Sequence, residues 1–220
     1  MSARVAASAL VVLAFSARGA CAQDSLAFKG ADRETRAALA TIVAEASARG
    51  LPTAPIVSKV QFALVVHAPS ARIVATAKTV ADRLGVARDA IATDTLSADI
   101  ANGEDALSFR IPKEILTRIH VAAPNRSIAV PLAVLTQLVA SNVPADHASD
   151  IVVRLMRQGA TSGQLLALGN NVSSDVQRGA KGAESADIRL RGLTPLLPPG
   201  AVTTGDLTAG SPAASGPRKP

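Results

Sequence analysis

The sequence predicts an all-α protein, an irregular bundle or short solenoid-like array of helical hairpins that ends in a disordered C-terminal tail. Three observations predict it. Apolar residues recur at helical spacing through most of the chain. Short phrases ending in proline separate those stripes, and the final stretch loses all periodicity and turns to Pro, Gly, Ser, Thr and Ala. The resulting division is a signal peptide over residues 1–22, a helical domain over 23–182 and a tail over 183–220.

The chain opens MSARVAASALVVLAFSARGACAQ, with a positive Arg4, an apolar run from Val5 to Phe15, and small residues at Ala20, Cys21 and Ala22. That order is the pattern of a secretory signal peptide, with cleavage expected after Ala22 and a periplasmic or secreted destination. The apolar run is about half the roughly 20 residues a spanning helix needs, so it reads as a signal rather than an anchor. Lipidation at Cys21 would tether the mature chain, but Arg18 and Gly19 stand where such a site wants an aliphatic and a small residue. Cleavage removes the only cysteine, and with it disulfides, thiol nucleophiles and thiolate metal sites.

Each helix has its own justification. Over Asp32 to Ala48, Leu39, Ile42, Val43 and Ala46 share one helical face, and Arg49-Gly50 ends the run. Ile56 to Val66 is apolar nearly all round and is expected to be the most buried helix, with a strand left open by its β-branched content. From Ala71 to Ile91 the stripe is Ile73, Ala77, Val80, Leu84 and Ile91, with Gly85 as a candidate break or bend. Ala92 to Ser108 is polar and holds Asn102-Gly103, which suggests a short helix plus a loop. Pro112 opens a helix through Val121.

The next stripe is Ile128, Leu132, Leu135, Leu138 and Val139, and Pro131 must either lie in its first turn or kink it. Val143-Pro144 then opens a helix with Ala148, Ile151, Val152, Leu155 and Met156 on its buried side. Its wet side carries His147, Asp150, Arg154 and Arg157, and Asp150 with Arg154 has the spacing of an intrahelical ion pair. Gly159 closes that helix, and Thr161 or Ser162 caps the next.

A recurring phrase joins these elements: an aliphatic residue (Leu51, Ala68, Ile111, Ala123, Val143) followed by proline (Pro52, Pro69, Pro112, Pro124, Pro144) and an amphipathic helix. Proline is tolerated at a helix start because the first N–H groups lack intrahelical partners. The aliphatic residue is expected to fold onto the first turn. The segments GLPTAPIVSKVQFAL, HAPSARIVATAKTVADRL and RSIAVPLAVLTQLVASNVPADHASDIVVRLMRQGATSGQLLAL resemble a group of uncharacterised secreted bacterial α-helical proteins over Gly50 to Arg178. That resemblance implies export and a helical fold and carries no activity. The chain departs from the group at QFALVVHAP, where a Gly-rich E-G-x-x-K-G-V-P phrase is expected.

Composition narrows the chemistry. After the signal the aromatic residues are Phe28, Phe62 and Phe109, with no Trp or Tyr, so the core is built from small aliphatic side chains rather than around a roomy ligand pocket. The net charge of +6 falls to about +4 once Arg4 and Arg18 leave. The basic residues are scattered singly, a pattern of solvated helix faces that permits weak contact with an anionic membrane surface.

His67, His120 and His147 each stand without a second His or Glu at metal-ligand spacing. Gly159-Ala160-Thr161-Ser162-Gly163 misses the Gly-x-Ser-x-Gly nucleophile pattern by one residue and follows a helix. Phosphate-binding Gly motifs are absent, and Asp94 and Asp99 lie in a segment that reads as surface. Leu84 to Gly103, with Arg88 and Thr95, has the outline of a DNA-reading helix-turn-helix, but export and Asp89, Asp94 and Asp99 oppose it.

No catalytic, cofactor-binding or metal residue is assigned. The expected role is a non-enzymatic interaction or envelope-associated module, its partner an unidentified protein or envelope component and not nucleic acid. The alternatives are an enzyme whose site is assembled from distant residues, with His120 and His147 as proton carriers, or the DNA-binding reading if the signal is false.

Overall fold

The computed structural model describes residues 28–91, 96–124 and 126–197. Among them are nine α-helices, one short 3-10 helix and no strand. The helices are α1 Arg33–Ala48, α2 Ala54–Val65, α3 Ser70–Ile91, α4 Ser97–Ser108, α5 Lys113–Ala122, α6 Ala129–Ala140, α7 Ala145–Arg157, α8 Ser162–Gln177 and α9 Gly182–Leu193, with the 3-10 turn at Thr194–Leu196. The expected signal segment and the part of the expected tail beyond residue 197 lie outside the described residues. The chain divides into two compact units, Met1–Arg88 and Asp89–Pro220.

In the first unit, Asp32 caps α1 by accepting the Thr35 N–H at 2.8 Å and the Thr35 hydroxyl at 2.7 Å. The same carboxylate accepts from Ser70 at the start of α3 (2.8 Å). At the other end of α1, the Arg49 carbonyl accepts from Arg88 Nη1 at 2.7 Å. Two such ties, start to start and end to end, require α1 and α3 to run parallel, so α2 returns between them. The expected stripe of α1 is buried as read, and so are Ile73, Ala77, Val80 and Leu84 of α3. Gly85 neither breaks nor bends α3 enough to end it; its missing side chain leaves room for the Arg49 guanidinium.

The second unit is organised on α6. It packs against α4, α7 and α8, while α5 lies on α7 and α9 on α8 and α7. Ile128, Leu132, Val134, Leu135 and Leu138 are buried. Burying each such side chain fully contributes about 1.5–3 kcal/mol. Pro131 is the third residue of α6, inside the first turn, where its missing N–H costs no intrahelical bond. α2, expected to be the most buried helix, is not: it buries three residues, against five in α6 and six in α7. All-round apolarity gives a helix no direction, and α2 buries one face only, at Ile56, Val60 and Ala63.

Two further expectations are corrected. Asn102-Gly103 lies inside α4 rather than in a loop: Asn102 Nδ2 donates to the Ala98 carbonyl at 2.8 Å, and Gly103 is buried with Ile100 and Ala106. Packing against α6 overrides the local turn signal. The tail was expected to begin at Ala183, yet residues 182–193 form α9, with Ala186 and Leu190 buried.

Among the described residues, six helices end identically. Gly50, His67, Arg110, Asn142, Gly159 and Gly179 take φ values of 70°, 54°, 62°, 62°, 76° and 95°. The next residue then donates its N–H five residues back, as in Leu51 to Ala46 (2.9 Å), Ile111 to Ala106 (3.2 Å) and Val143 to Leu138 (3.1 Å). These are Schellman ends, in which a left-handed residue lets the chain satisfy the last free carbonyls. The aliphatic residue before Pro52, Pro69, Pro112 and Pro144 is thus the closing residue of one helix, and the proline leads into the next. Pro124 is the exception, because Ala123 has φ −139° and α6 starts only at Ala129.

Candidate functional site

Three polar assemblies lie in the second unit. The first spans α5, α7 and α9. Arg118 of α5 donates through Nε to Ser149 Oγ (3.0 Å), through Nη2 to the same hydroxyl, and to the Asp146 carbonyl at 3.4 Å. Its Nη1 stands 3.3 Å from Asp150 Oδ1. Also on α7, His147 Nε2 lies 3.0 Å from Asp187 Oδ1 of α9. Asp150 therefore pairs with α5 rather than forming the expected link to Arg154. His147 and Asp150 act as ties to other helices, not as a free wet stripe.

The second assembly centres on Asp175 of α8. Its carboxylate accepts from Arg189 Nε and Nη2 (both 2.8 Å), from Ser185 Oγ (2.6 Å) and from Arg178 Nη2 (2.5 Å). The bidentate Arg189, followed by Ser185 and Arg178, holds this carboxyl far below the usual range against the opposing effect of burial. The same bonds raise Arg189. An open groove of about 540 Å³ runs beside it, lined by Arg178, Lys181, Glu184, Ser185 and Ile188 among others. Its cations are already paired, since Lys181 Nζ lies 3.0 Å from Glu184 Oε1.

The sign of the pH effect follows from the direction of the Asp175 shift. A carboxyl depressed in the folded state stabilises fully above its unfolded value, near 4, and that contribution disappears as pH falls through the folded value. Asp175→Asn is therefore expected to lower the melting temperature at neutral pH, and its gap from the parent protein is expected to narrow below about pH 4. A gap independent of pH, measured by thermal unfolding across that range, would contradict the charged contact.

The third assembly is buried. Asp99, only 3 % exposed, accepts from Ser127 Oγ (2.7 Å) and from the Ile128 N–H (3.0 Å), tying the first turn of α4 to the start of α6. The surface reading of Asp99 is thus corrected: a carboxylate can be buried where a hydroxyl and a backbone donor meet it. Asp94 and Thr95 lie outside the described residues. Arg88, the other residue of the proposed DNA reader, donates to the Arg49 carbonyl.

No protein-family model matches this chain, and neither does any curated protein or solved structure. What the residues can do therefore rests on their geometry. A carboxylate-bonded imidazole such as His147–Asp187 is two thirds of a nucleophilic triad, but it needs a hydroxyl at the other ring nitrogen. Ser149, two positions on, is fully buried and engaged by Arg118 on the α5 side, whereas His147 reaches α9. His120 lies half-buried in the last turn of α5, and His67 is the exposed left-handed residue after α2. Among the described residues no three His, Cys, Asp or Glu side chains gather as a metal-ligand set. Thr161 and Gln164 form a capping box on α8, with Gln164 N–H to Thr161 Oγ1 at 3.2 Å and Thr161 N–H to Gln164 Oε1 at 2.8 Å.

Among the described residues, one stretch concentrates exposed apolar side chains. Phe62, Val65 and Val66 are 69 %, 73 % and 54 % exposed within five consecutive residues, whereas the other exposed large apolar residues stand singly in the sequence. Their i, i+3, i+4 spacing places them on one side of the end of α2. The sequence displays all three, yet the all-round apolarity of the segment conceals that this side is outward.

Proposed function

We propose that this protein is an exported, non-enzymatic helical module that acts by contact with a protein or component of the cell envelope. The observation that carries the reading is the exposed Phe62, Val65 and Val66 cluster. A folded chain gains nothing in stability from leaving three adjacent large apolar side chains in water, and such clusters mark contact surfaces when they are concentrated. The signal-like opening from Arg4 to Ala22 supports the address.

Fractionation of expressing cells with N-terminal sequencing tests the address. A chain beginning at Gln23 outside the cytoplasm is the expected result; one retaining Met1 in the cytoplasm overturns export. Envelope extract passed over the immobilised protein tests contact, and an empty capture together with turnover in a broad hydrolase screen overturns the non-enzymatic reading. A second reading, an enzyme using His147 with His120 as proton carriers, is supported by the Asp187 contact alone. It is rejected if any activity found survives replacement of both histidines by alanine.

A further inference from the structure

We infer that the corner between α2 and α3 docks on an anionic lipid bilayer, with Phe62, Val65 and Val66 entering the interface and Lys59 and Arg72 meeting the phosphate headgroups. The inference rests on the envelope-associated reading and gives that contact a partner class and a surface.

Charge complementarity selects the partner. Residues 51–81 carry Lys59, Arg72 and Lys78 and no Asp or Glu, and the carboxylate that reaches this corner from α1, Asp32, is bonded to Thr35 and Ser70. The apolar cluster lies in the middle of this stretch. Lys59 precedes Phe62 by three positions and so shares its side of α2, and Arg72 stands in the first turn of α3; both are exposed. The wider distribution agrees: residues 28–88 hold nine Lys and Arg against four Asp and Glu, while residues 89–197 hold ten against eleven. Over residues 28–197 the positive balance is therefore concentrated in the part that also carries the apolar corner.

An apolar pocket on a protein partner would require the Phe and Val residues but not this charge segregation. A bilayer surface uses both, because aromatic and aliphatic side chains partition into the headgroup boundary while cations are drawn to anionic lipid. Lys and Arg suit that position, since their stems lie along apolar surface while the charged ends stay in water. Among the described residues no helix is long and apolar enough to cross a membrane, so the contact is with the interface and not through it.

The test uses protein purified from the compartment in which it accumulates. It is sedimented with phosphatidylcholine vesicles, or with vesicles of phosphatidylglycerol and phosphatidylcholine in equal parts, at low and high salt. Stronger binding to the anionic vesicles, weakened by salt, is expected. A variant with Phe62→Ser, Val65→Ser and Val66→Ser is expected to lose about tenfold or more in partitioning. Helical circular dichroism should be unchanged, because the replaced side chains are exposed. The pair Lys59→Gln and Arg72→Gln is expected to reduce the preference for anionic over neutral vesicles.

Failure of the parent protein to bind anionic vesicles at low salt overturns the inference, and so does binding that the triple variant retains. Capture of an envelope protein that depends on Phe62, without vesicle binding, also overturns it by assigning the surface to a protein. These failures leave the export reading to be judged separately by the position of the mature N-terminus.

Discussion

Leu135→Ala is expected to remove about 2–5 kcal/mol of folding stability, the range for truncating a fully buried leucine whose surroundings cannot collapse into the space. Leu135 has no exposed surface and sits in α6, against which α4, α7 and α8 pack. Three neighbouring helices leave little freedom to close the gap: a shift that fills the void toward α4 opens one toward α8. Denaturant unfolding supplies the magnitude. Amide exchange in α4, α6, α7 and α8 shows where protection is lost, since local opening follows local packing. A loss below about 1 kcal/mol would mean that α6 is not the centre of this unit, because a peripheral leucine gives up much less buried contact.

What the sequence revealed depended on whether the stabilising contact was local. The α1 stripe of Leu39, Ile42, Val43 and Ala46, and the α7 stripe of Ala148, Ile151, Val152 and Leu155, were legible because a helix buried on one side must repeat its apolar residues with its own period. The Schellman ends were legible as phrases, but three of their left-handed residues are His67, Arg110 and Asn142, not glycine. The proline was therefore the visible mark, and the closing role of the residue before it was hidden.

Contacts between distant positions left no such trace. Arg118 finds Ser149 and Asp150 some thirty residues later, and His147 meets Asp187 forty residues on. Nothing in local spacing identifies those partners. The same reason explains α9: its large apolar residues are Ile188, Leu190 and Leu193, Ile188 is exposed, and the helix is held partly through Ser185 and Arg189 on Asp175 and through Asp187 on His147. Periodicity undercounts a helix secured in this way, so its residues resembled the Pro- and Gly-rich sequence that follows. The outward side of α2 was missed for the converse reason. Apolar residues signal burial on average, and a binding surface breaks that average.

Two identical substitutions in α9 should move stability in opposite directions. Gly182 is the first residue of the helix, and a Cβ placed there would overlap the Ser141 carbonyl oxygen, with Ser141 C at 3.1 Å and Asn142 C at 3.3 Å. These are backbone atoms at the α6–α7 corner, so they cannot turn aside as a side chain would. Gly182→Ala must push α9 outward, and a loss of about 1–3 kcal/mol is expected, the usual cost of overpacking. At Gly192 an added Cβ meets nothing within 4 Å, and the position is helical and exposed. Gly192→Ala should instead gain about 0.5–1 kcal/mol, because alanine restricts the unfolded chain and favours the helix. Intrinsic propensity alone predicts gains at both positions, whereas the close approach predicts a reversal at the first. Measuring both variants by denaturant unfolding separates the two accounts: a gain at Gly182 would show that α9 does not rest on the Ser141 backbone.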